Sequence, residues 1–270
     1  MTAAVSSIAT VSVEQLSLTI GRRRILTDID VPPVQRGEIL AIVGPNGAGK
    51  SSLMRCLCGL LKFQGELRFN GMPVPPLARH RRQWSPHIGY VPQDAGIRAK
   101  ISVMELLLSA QKTHGHSLAV KKEELARAEQ ILTQLDIAHL AQSYCPTLSG
   151  GQMQMCALAQ ALVLTPSLLL LDEPTSALDL RHQSRSLKLI RNYVRTQDEQ
   201  GTPNAAAIVI LHDLNLALRY ADKVLLIDDG RVTAHGALPD TLTLDVVGKT
   251  FGVEGEYLMN SKGDKVLVVY

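Results

Sequence analysis

The sequence predicts an α/β fold in which helices cover a mostly parallel sheet, joined to a small antiparallel β subdomain and an inserted helical subdomain. Short continuous apolar runs suit strands that are buried on both faces of a sheet, and helix-periodic segments lie between these runs. The runs occupy residues 39–43, 88–91, 168–171, 206–211 and 224–227, and the helical segments between them include residues 50–61, 180–194 and 214–221.

Two regions depart from this alternation. Residues 11–20 and 25–31 alternate apolar and polar side chains on either side of a basic turn at residues 21–24, which predicts a small antiparallel sheet. Residues 99–164 carry helix-periodic segments with little strand signal, which predicts the inserted helical subdomain. The helices of this subdomain are expected at residues 103–109, 120–135 and 152–164. Outside it, a terminal strand is expected at residues 265–270.

The composition limits the class of protein. A formal net charge of +3 is too small to require a nucleic-acid partner. The four cysteines lack C-x-x-C spacings, so we predict reduced thiols and neither a zinc site nor a disulfide scaffold. Residues 1–11 lack the pattern of a secretory signal. The longest apolar tract, residues 157–171, is shorter than the roughly 20 residues that span a bilayer, so a transport role would require a separate pore-forming partner.

A glycine-rich turn between the predicted strand 39–43 and the following helix matches the phosphate-binding pattern G-x-x-x-x-G-K-[ST]. Glycines let backbone N–H groups surround a polyphosphate, and the helix N-terminus adds a favourable partial charge. The sequence therefore predicts a P-loop NTPase core of the RecA-like type. Lys50 is expected to reach the β- and γ-phosphates, and Ser51 to offer its hydroxyl to Mg²⁺. The turn comprises Gly44, Pro45, Asn46, Gly47, Ala48, Gly49, Lys50 and Ser51.

A second constellation is the apolar run 168–171, which ends in Asp172 and Glu173. The carboxyl end of this strand would lie at the sheet edge that presents the phosphate loop. Asp172 suits the Mg²⁺ shell, directly or through water, and Glu173 is placed to polarise an attacking water. On its own such a pair more often begins a turn, so this interpretation depends on the phosphate loop.

A third constellation opens the helical segment 152–164. Ser149 can cap this helix while Gly150 and Gly151 expose backbone donors, which together would form a second anion-binding surface. From composition alone, a simple serine-capped helix is the alternative interpretation.

Together these motifs resemble those of the ATP-binding cassette (ABC) ATPases, and the resemblance covers nearly the whole chain in the family's order. Gln93 resembles the Q-loop glutamine and His212 the switch histidine. The signature motif is matched by Leu148-Ser149-Gly150-Gly151-Gln152 and the D-loop by Ser176-Ala177-Leu178-Asp179.

The resemblance implies a composite site, in which ATP on the phosphate loop of one subunit is covered by Ser149 and Gly151 of a second copy. It implies Glu173 as the general base or water-orienting carboxylate, His212 as a sensor of the γ-phosphate, and Gln93 as a contact to Mg²⁺ and water. The implied metal ligands are Ser51, Gln93 and Asp172. The implied ATP-binding residues are the eight of the phosphate loop, Gly44 to Ser51, with Ser52, Ser149, Gly150, Gly151, Gln152 and Asp179. One domain over residues 1–270 would then contain a nucleotide-binding core, 11–98 and 165–270, and a helical subdomain, 99–164.

Residues 211–222 and the segment Phe251-Gly252-Val253 resemble ATPases that power the import of iron chelates, such as siderophores and haem, and of cobalamin. This resemblance implies polytopic permease subunits and an extracytoplasmic substrate-binding protein as partners, no nucleic acid, and a peripheral position at the cytoplasmic face of the inner membrane. An importer ATPase for another small solute and a non-transport ABC ATPase are the alternatives. The 56 positions from Gln93 to Ser149 leave no room for the long coiled coil of a repair protein, and a P-loop nucleotide kinase would lack residues 148–152.

Several residues depart from the family pattern. Ile20 stands where many relatives carry an aromatic residue that stacks on adenine, so we expect weak base discrimination, to be tested by comparing ATP and GTP binding. After the signature motif, where relatives often carry arginines, this chain has Met153, Met155 and Gln160, so the local electrostatic field is expected to be less positive. Ser52 replaces the threonine that is common in relatives and keeps its hydroxyl group. The basic clusters 22–24 and 79–82 are either solvated turns or surfaces that face anionic lipids. The apolar stripe Val103, Leu106, Leu107 and Leu108 belongs either to the core or to a surface that resembles the family's docking surface for the membrane subunit.

Overall fold

The computed structural model describes residues 10–74, 87–97, 99–112, 120–197, 201, 203 and 205–270. Within them the strands are β1 (Val11–Ile20), β2 (Arg23–Val34), β3 (Ile39–Val43), β4 (Gln64–Phe69), β5 (Met72–Pro73), β6 (Ile88–Val91), β7 (Leu168–Asp172), β8 (Ala206–Ile210), β9 (Lys223–Asp228), β10 (Arg231–Ala237), β11 (Gly255–Met259) and β12 (Lys265–Val269). The helices are α1 (Lys50–Leu57), α2 (Val103–Lys112), α3 (Lys122–Gln134), α4 (Gly150–Val163), α5 (Leu180–Arg195), α6 (Leu214–Tyr220) and α7 (Leu244–Phe251), with short 3₁₀ helices at Ala138–Leu140 and Cys145–Thr147.

The central sheet has the strand order β10-β9-β3-β8-β7-β6. All of its neighbouring strands run parallel except β10, which lies antiparallel to β9 at one edge. Every residue of β3, β7 and β8 is buried, because α1 covers one face of the sheet and α4, α5 and α6 cover the other. The predicted parallel sheet is confirmed, and all five apolar runs form strands in it.

A second, antiparallel sheet has the order β2-β1-β4-β5. It confirms the two predicted strands but corrects their turn. Ile20 pairs with Arg23, so Arg23 and Arg24 begin β2 and the turn contains only Gly21 and Arg22. Arg24 bonds to Ser17 and Asp28, which favours a structural interpretation for that residue. The basic cluster 79–82 lies outside the described residues.

Sequence reasoning missed several elements and misplaced one helix end. Four of the missed elements are strands: β4, β5, β10 and β11. Few of their side chains are buried, so their sequences carry only a weak apolar pattern, and hydrogen bonding to neighbouring strands stabilises them. Helix α7, which begins after the capping residue Thr243, was also missed. Helix α1 ends at Leu57 rather than at residue 61, because the chain turns at Gly59 with φ +66°.

Three helices, α2, α3 and α4, lie between β6 and β7 and pack against one another, as predicted. Val103, Leu106 and Leu107 are buried in this packing, which favours the core interpretation of the apolar stripe, and Leu108 is half-buried. The division of the chain into a core and a helical subdomain stays a prediction. Among the described residues, no helix combines the length and the apolar character needed to cross a membrane.

All four cysteines are buried, and none forms a disulfide. Cys56 lies in α1, Cys58 follows it, Cys145 begins a 3₁₀ helix and Cys156 lies in α4. Desolvation raises the pKa of Cys56 and of Cys156 to about 12. The four thiols belong to the packed interior, and their reduced state stays a prediction.

Candidate nucleotide site

The residues predicted to bind phosphate and to act on water converge at one edge of the central sheet. The strands β3, β7 and β8 run parallel, so their carboxyl ends lie at the same edge. The phosphate loop follows β3, Asp172 ends β7, and His212 lies two residues beyond β8. The crevice beyond the carboxyl ends of parallel strands is the usual position for a ligand in such folds.

The phosphate loop depends on the glycine at its first position. Gly44 has φ +146°, and a Cβ atom built there would lie 1.9 Å from the carbonyl oxygen of Ile227 in β9. No side chain fits at that separation, so the loop leaves β3 in direct contact with the backbone of β9. Gly47 and Gly49 also adopt positive φ angles, +80° and +102°, which glycine reaches without steric penalty.

Lys50 lies beneath this loop, at the first residue of α1. It is 5% exposed, and its Nζ donates hydrogen bonds to the carbonyl oxygens of Gly44 and Pro45, each at 2.8 Å. Burial lowers the pKa of Lys50, and the charges of Glu173 and Asp172 act in the opposite direction. The ammonium group is thereby placed against the loop whose backbone would surround a polyphosphate.

The N-terminus of α1 adds to this positive field. The first N–H groups of a helix have no intrahelical partners, and they carry the partial positive charge of the helix dipole. The first turn of α1 contains no acidic residue that would neutralise this charge. Ser51 and Ser52 follow Lys50 in this turn and are half-buried beside the same cleft.

Ser51 and Asp172 form an oxygen-rich pair on the sheet side of the cleft. The Ser51 hydroxyl donates to Oδ1 of Asp172 at 3.0 Å. The other carboxyl oxygen, Oδ2, is buried and has no hydrogen-bond partner within the described residues. Desolvation raises the pKa of Asp172, while the hydrogen bond from Ser51 acts to lower it. A buried carboxyl oxygen without a partner is costly, so this pair suits a hard cation such as Mg²⁺.

Glu173 is held between two side chains from other loops. Gln93 donates from Nε2 to Oε2 of Glu173 at 2.9 Å, and Nε2 of His212 lies 2.5 Å from Oε1. The backbone of Glu173 has φ +52°, a left-handed conformation that is uncommon outside glycine and concentrates at functional sites. The carboxyl group therefore has a defined position at the end of β7.

These groups line a cleft with a volume of about 610 Å³. The lining residues are Arg23, Ile25, Asn46, Gly47, Gly49, Lys50, Ser51, Ser52, Gln93, Glu173 and His212. Sequence reasoning missed Arg23 and Ile25, which reach the cleft because β2 packs beside Gly49. Ile20, the residue singled out from the sequence, is 50% exposed and is not among the lining residues.

The signature segment and the D-loop aspartate lie away from this cleft in the same chain. Ser149 caps α4, because its hydroxyl accepts from the Gln152 N–H at 3.3 Å and the Gln152 side chain accepts from the Ser149 N–H at 2.9 Å. Asp179 caps α5 by accepting from the His182 N–H at 2.8 Å, and this hydrogen bond lowers the pKa of Asp179.

The structure thus divides the predicted site residues into two groups. It brings together the phosphate loop, Gln93, Asp172, Glu173 and His212. The residues that it leaves apart from that cleft are Ser149, Gly150, Gly151, Gln152 and Asp179. Sequence reasoning also missed Gln154, a buried polar residue behind Glu173, because its partners lie about twenty positions further along the chain.

Comparisons with known proteins agree with this geometry. The family model for ABC transporters matches residues 29–176. The hemin import ATP-binding protein HmuV of Vibrio cholerae is 34% identical over 245 residues, covering 88% of this chain and 90% of that protein. An inward-facing structure of an ABC transporter proposed to be of the metal-chelate type is 27% identical with a TM-score of 0.77, covering 97% of this chain and 98% of that one. A dimeric cassette, MJ0796 bound to ADP and Pi, shares the fold with a TM-score of 0.74 at 24% identity, covering 84% of this chain and 98% of that one.

A parallel sheet with a phosphate loop after one strand and carboxylates at the end of another defines a P-loop NTPase. The chain belongs to the ABC transporter family, in which it is an ATP-hydrolysing subunit.

The close approach of Gly44 to β9 predicts a large effect of a single methyl group. We expect Gly44→Ala to lower the free energy of unfolding by about 2 kcal/mol or more, because the Cβ atom cannot be accommodated without moving β3 or β9. Gly47→Ala is the matched control, since its Cβ atom would meet nothing within 4 Å and only the cost of a positive φ, about 1 kcal/mol, applies. Urea unfolding measures both, and equal losses in the two variants would contradict the steric argument.

Proposed function

We propose that this chain forms one half of an ATP-hydrolysing homodimer at the cytoplasmic face of the cell membrane, where it powers the import of an iron chelate of the siderophore, haem or related cobalamin type. The convergence of Lys50, Ser51, Asp172 and Glu173 at one sheet edge carries the ATP-hydrolysing part of this proposal. The similarity to a hemin import ATPase supports the cargo class.

The phosphate loop is proposed to hold the triphosphate of ATP. Backbone N–H groups of residues 44–51 and the N-terminus of α1 surround the phosphates, and the Lys50 ammonium group reaches the β- and γ-phosphates. Arg23 and Ile25 line the side of the cleft formed by β2. The nucleotide base is proposed to lie on this side, since the reacting carboxylate lies on the other.

The residues present fit a magnesium ion. The Ser51 hydroxyl and the partnerless Oδ2 of Asp172 are two oxygen ligands, and Oε1 of Gln93 makes no hydrogen bond within the described residues. No group of three or more His, Cys, Asp or Glu side chains in the described part of the chain is arranged to hold a metal, so ATP and water would supply the remaining ligands. When bound, the ion would neutralise charge on the β- and γ-phosphates.

Glu173 is proposed as the general base. A water oxygen attacks the γ-phosphorus, the bond from that phosphorus to the bridging oxygen of ADP breaks, and a proton of the water passes to the Glu173 carboxylate. His212 and Gln93 hold the two carboxyl oxygens and thereby fix the line of attack. A base positioned in this way contributes about 10²- to 10⁴-fold in rate.

The signature segment is proposed to cover the ATP of a second copy. Ser149 and Gly150 are exposed at the N-terminus of α4, whose unpaired N–H groups favour an anion. They do not line the cleft of their own chain, so each chain would hold half of each site. A cassette with this fold occurs as a dimer with ADP and Pi, which supports the arrangement.

The transport partners are proposed from the relatives. A polytopic permease would provide the path across the membrane, and an extracytoplasmic binding protein would deliver the cargo. The helical subdomain at residues 99–164 is proposed to link the nucleotide core to the permease. Support comes from the similarity over nearly the whole chain to a transporter proposed to be of the metal-chelate type.

Replacing Glu173 by Gln tests the chemical role. We expect kcat to fall about 10²- to 10⁴-fold while ATP binding and ATP-dependent dimerisation persist, because the amide keeps the shape of the carboxyl group but accepts no proton. Phosphate release and nucleotide titration measure the two effects. Glu129→Gln is the matched control, since Glu129 is exposed on α3 and makes no ion pair within the described residues. Undiminished hydrolysis by Glu173→Gln would remove this residue from its role.

Mixing two inactive variants tests the shared site. Lys50→Ala removes the phosphate-loop cation, and Ser149→Arg blocks the surface that would cover the partner's ATP. Each homodimer should hydrolyse ATP poorly, whereas a mixed dimer contains one site in which both halves are intact. We expect an equimolar mixture to recover up to about a quarter of the wild-type rate, since half of the dimers are mixed and one site in two is whole. A mixture no more active than either variant alone argues against the shared site.

Uptake by a deletion strain tests the cargo. We expect loss of uptake of an iron chelate, with haem, a ferric siderophore and cobalamin offered separately, and restoration by the wild-type chain but not by Glu173→Gln. Detergent extracts of the complemented strain should yield the chain together with a polytopic membrane protein. Unchanged uptake of all three cargoes would refute the cargo class while leaving the ATPase intact.

A further inference from the structure

Gln154 is a buried polar residue that contacts the backbone of Glu173. It lies about one turn inside α4 and is 4% exposed. Its Nε2 donates to the carbonyl oxygen of Glu173 at 2.6 Å and lies 3.3 Å from the hydroxyl of Ser176, while its Oε1 accepts from the N–H of Ala177 at 3.1 Å. Both ends of the amide are satisfied, so its orientation is fixed.

The carbonyl group of Glu173 is held from several directions. Besides Gln154, the hydroxyl of Ser176 donates to the same oxygen at 3.1 Å and the N–H of Ser176 lies at 3.3 Å. These donors stabilise a residue whose φ of +52° is unfavourable for a side chain with a Cβ atom. The orientation of this backbone sets the direction of the carboxyl group toward Gln93 and His212.

The first turn of α4 also packs against the segment that follows Glu173. A Cβ atom built on Gly151 would lie 2.8 Å from the carbonyl oxygen of Ala177. Helix α4 therefore contacts both backbone polar groups of Ala177. Gln154 accepts from its N–H, and Gly151 packs closely against its carbonyl oxygen. The start of α4 and residues 173–177 form one tightly coupled unit.

We infer that Gln154 is a positioning residue, which orients Glu173 and transmits to it any movement of the start of α4. This inference rests on the proposed function, because the start of α4 is the surface proposed to cover the ATP of the partner. When the start of α4 in one chain closes on the ATP bound by the partner, Gln154 of that chain adjusts Glu173 of the same chain. That Glu173 acts on the ATP bound by its own phosphate loop. Occupancy of one cleft thus raises the rate of hydrolysis in the other, without being required for it.

The test replaces Gln154 by Met, which keeps most of the side-chain volume and removes both hydrogen-bonding ends. We expect kcat to fall roughly tenfold to a hundredfold, as a displaced reacting group requires, while the ATP concentration at half-maximal rate stays within about threefold. The Hill coefficient for ATP should fall toward 1. Gln160→Met is the matched control on the same helix, because Gln160 makes no side-chain hydrogen bond within the described residues, and it should change none of these quantities.

A double-mutant cycle separates positioning from general damage to the fold. If Gln154 acts through Glu173, adding Gln154→Met to Glu173→Gln should produce no further loss of kcat. Independent losses that multiply would overturn the inference. So would a fall in ATP binding as large as the fall in kcat.

A second variant keeps the inference testable if Gln154→Met does not fold. Gln154→Glu retains an acceptor for the Ala177 N–H and removes the donor to the Glu173 carbonyl, so kcat and the Hill coefficient should again fall. Full retention of both would overturn the inference. A different result would reject the proposed function itself, namely hydrolysis of ATP at the wild-type rate by Lys50→Ala or by Glu173→Gln. If these two variants are impaired while the Gln154 variants keep the wild-type kcat and Hill coefficient, only the positioning role is rejected.

Discussion

The parallel pairing of β3, β8 and β7 determines where every reacting group lies. Asp172 pairs with Ile210, so the residues that follow these two strands, Glu173 and His212, emerge beside each other. On the other side of β8, the contact of Gly44 with the Ile227 carbonyl lets α1 begin directly above the sheet. Ser51 then meets Asp172 across more than a hundred positions of sequence. Strand register and the absence of a Cβ atom at Gly44 therefore bring the residues of the site together.

This arrangement concentrates charge in a poorly solvated region. Lys50, Asp172 and Glu173 are all buried or nearly so, and burial shifts the pKa of Lys50 downward and that of Asp172 upward. Burying charged groups costs several kcal/mol each unless partners compensate, and here the compensation is incomplete because Oδ2 of Asp172 has none within the described residues. Such a site favours ligand binding over the stability of the chain, as is typical of functional clefts.

The sequence was sufficient for the parts of this structure that depend on local pattern. Continuous apolar runs identified the buried parallel strands, and the fixed spacing of the phosphate loop placed Lys50 and Ser51. Strands such as β4 and β10 could not be predicted, because pairing rather than their own side chains stabilises them. The contacts of Gln154 with Glu173 and Ala177, and the position of Arg23 beside the cleft, arise only when distant segments meet. The residue roles inferred from the motifs remain predictions.

The buried thiols have a consequence for chemical resistance. Oxidants and alkylating reagents attack the thiolate, and burial raises the pKa of Cys56 and of Cys156 far enough to keep both thiols protonated at neutral pH. Cys56 is buried on α1, between one and two turns beyond the lysine and the first serine of the phosphate loop, where a bulky adduct would displace the helix. With this sulfur protonated and enclosed, a change in the redox state of the surroundings leaves the nucleotide cleft chemically untouched.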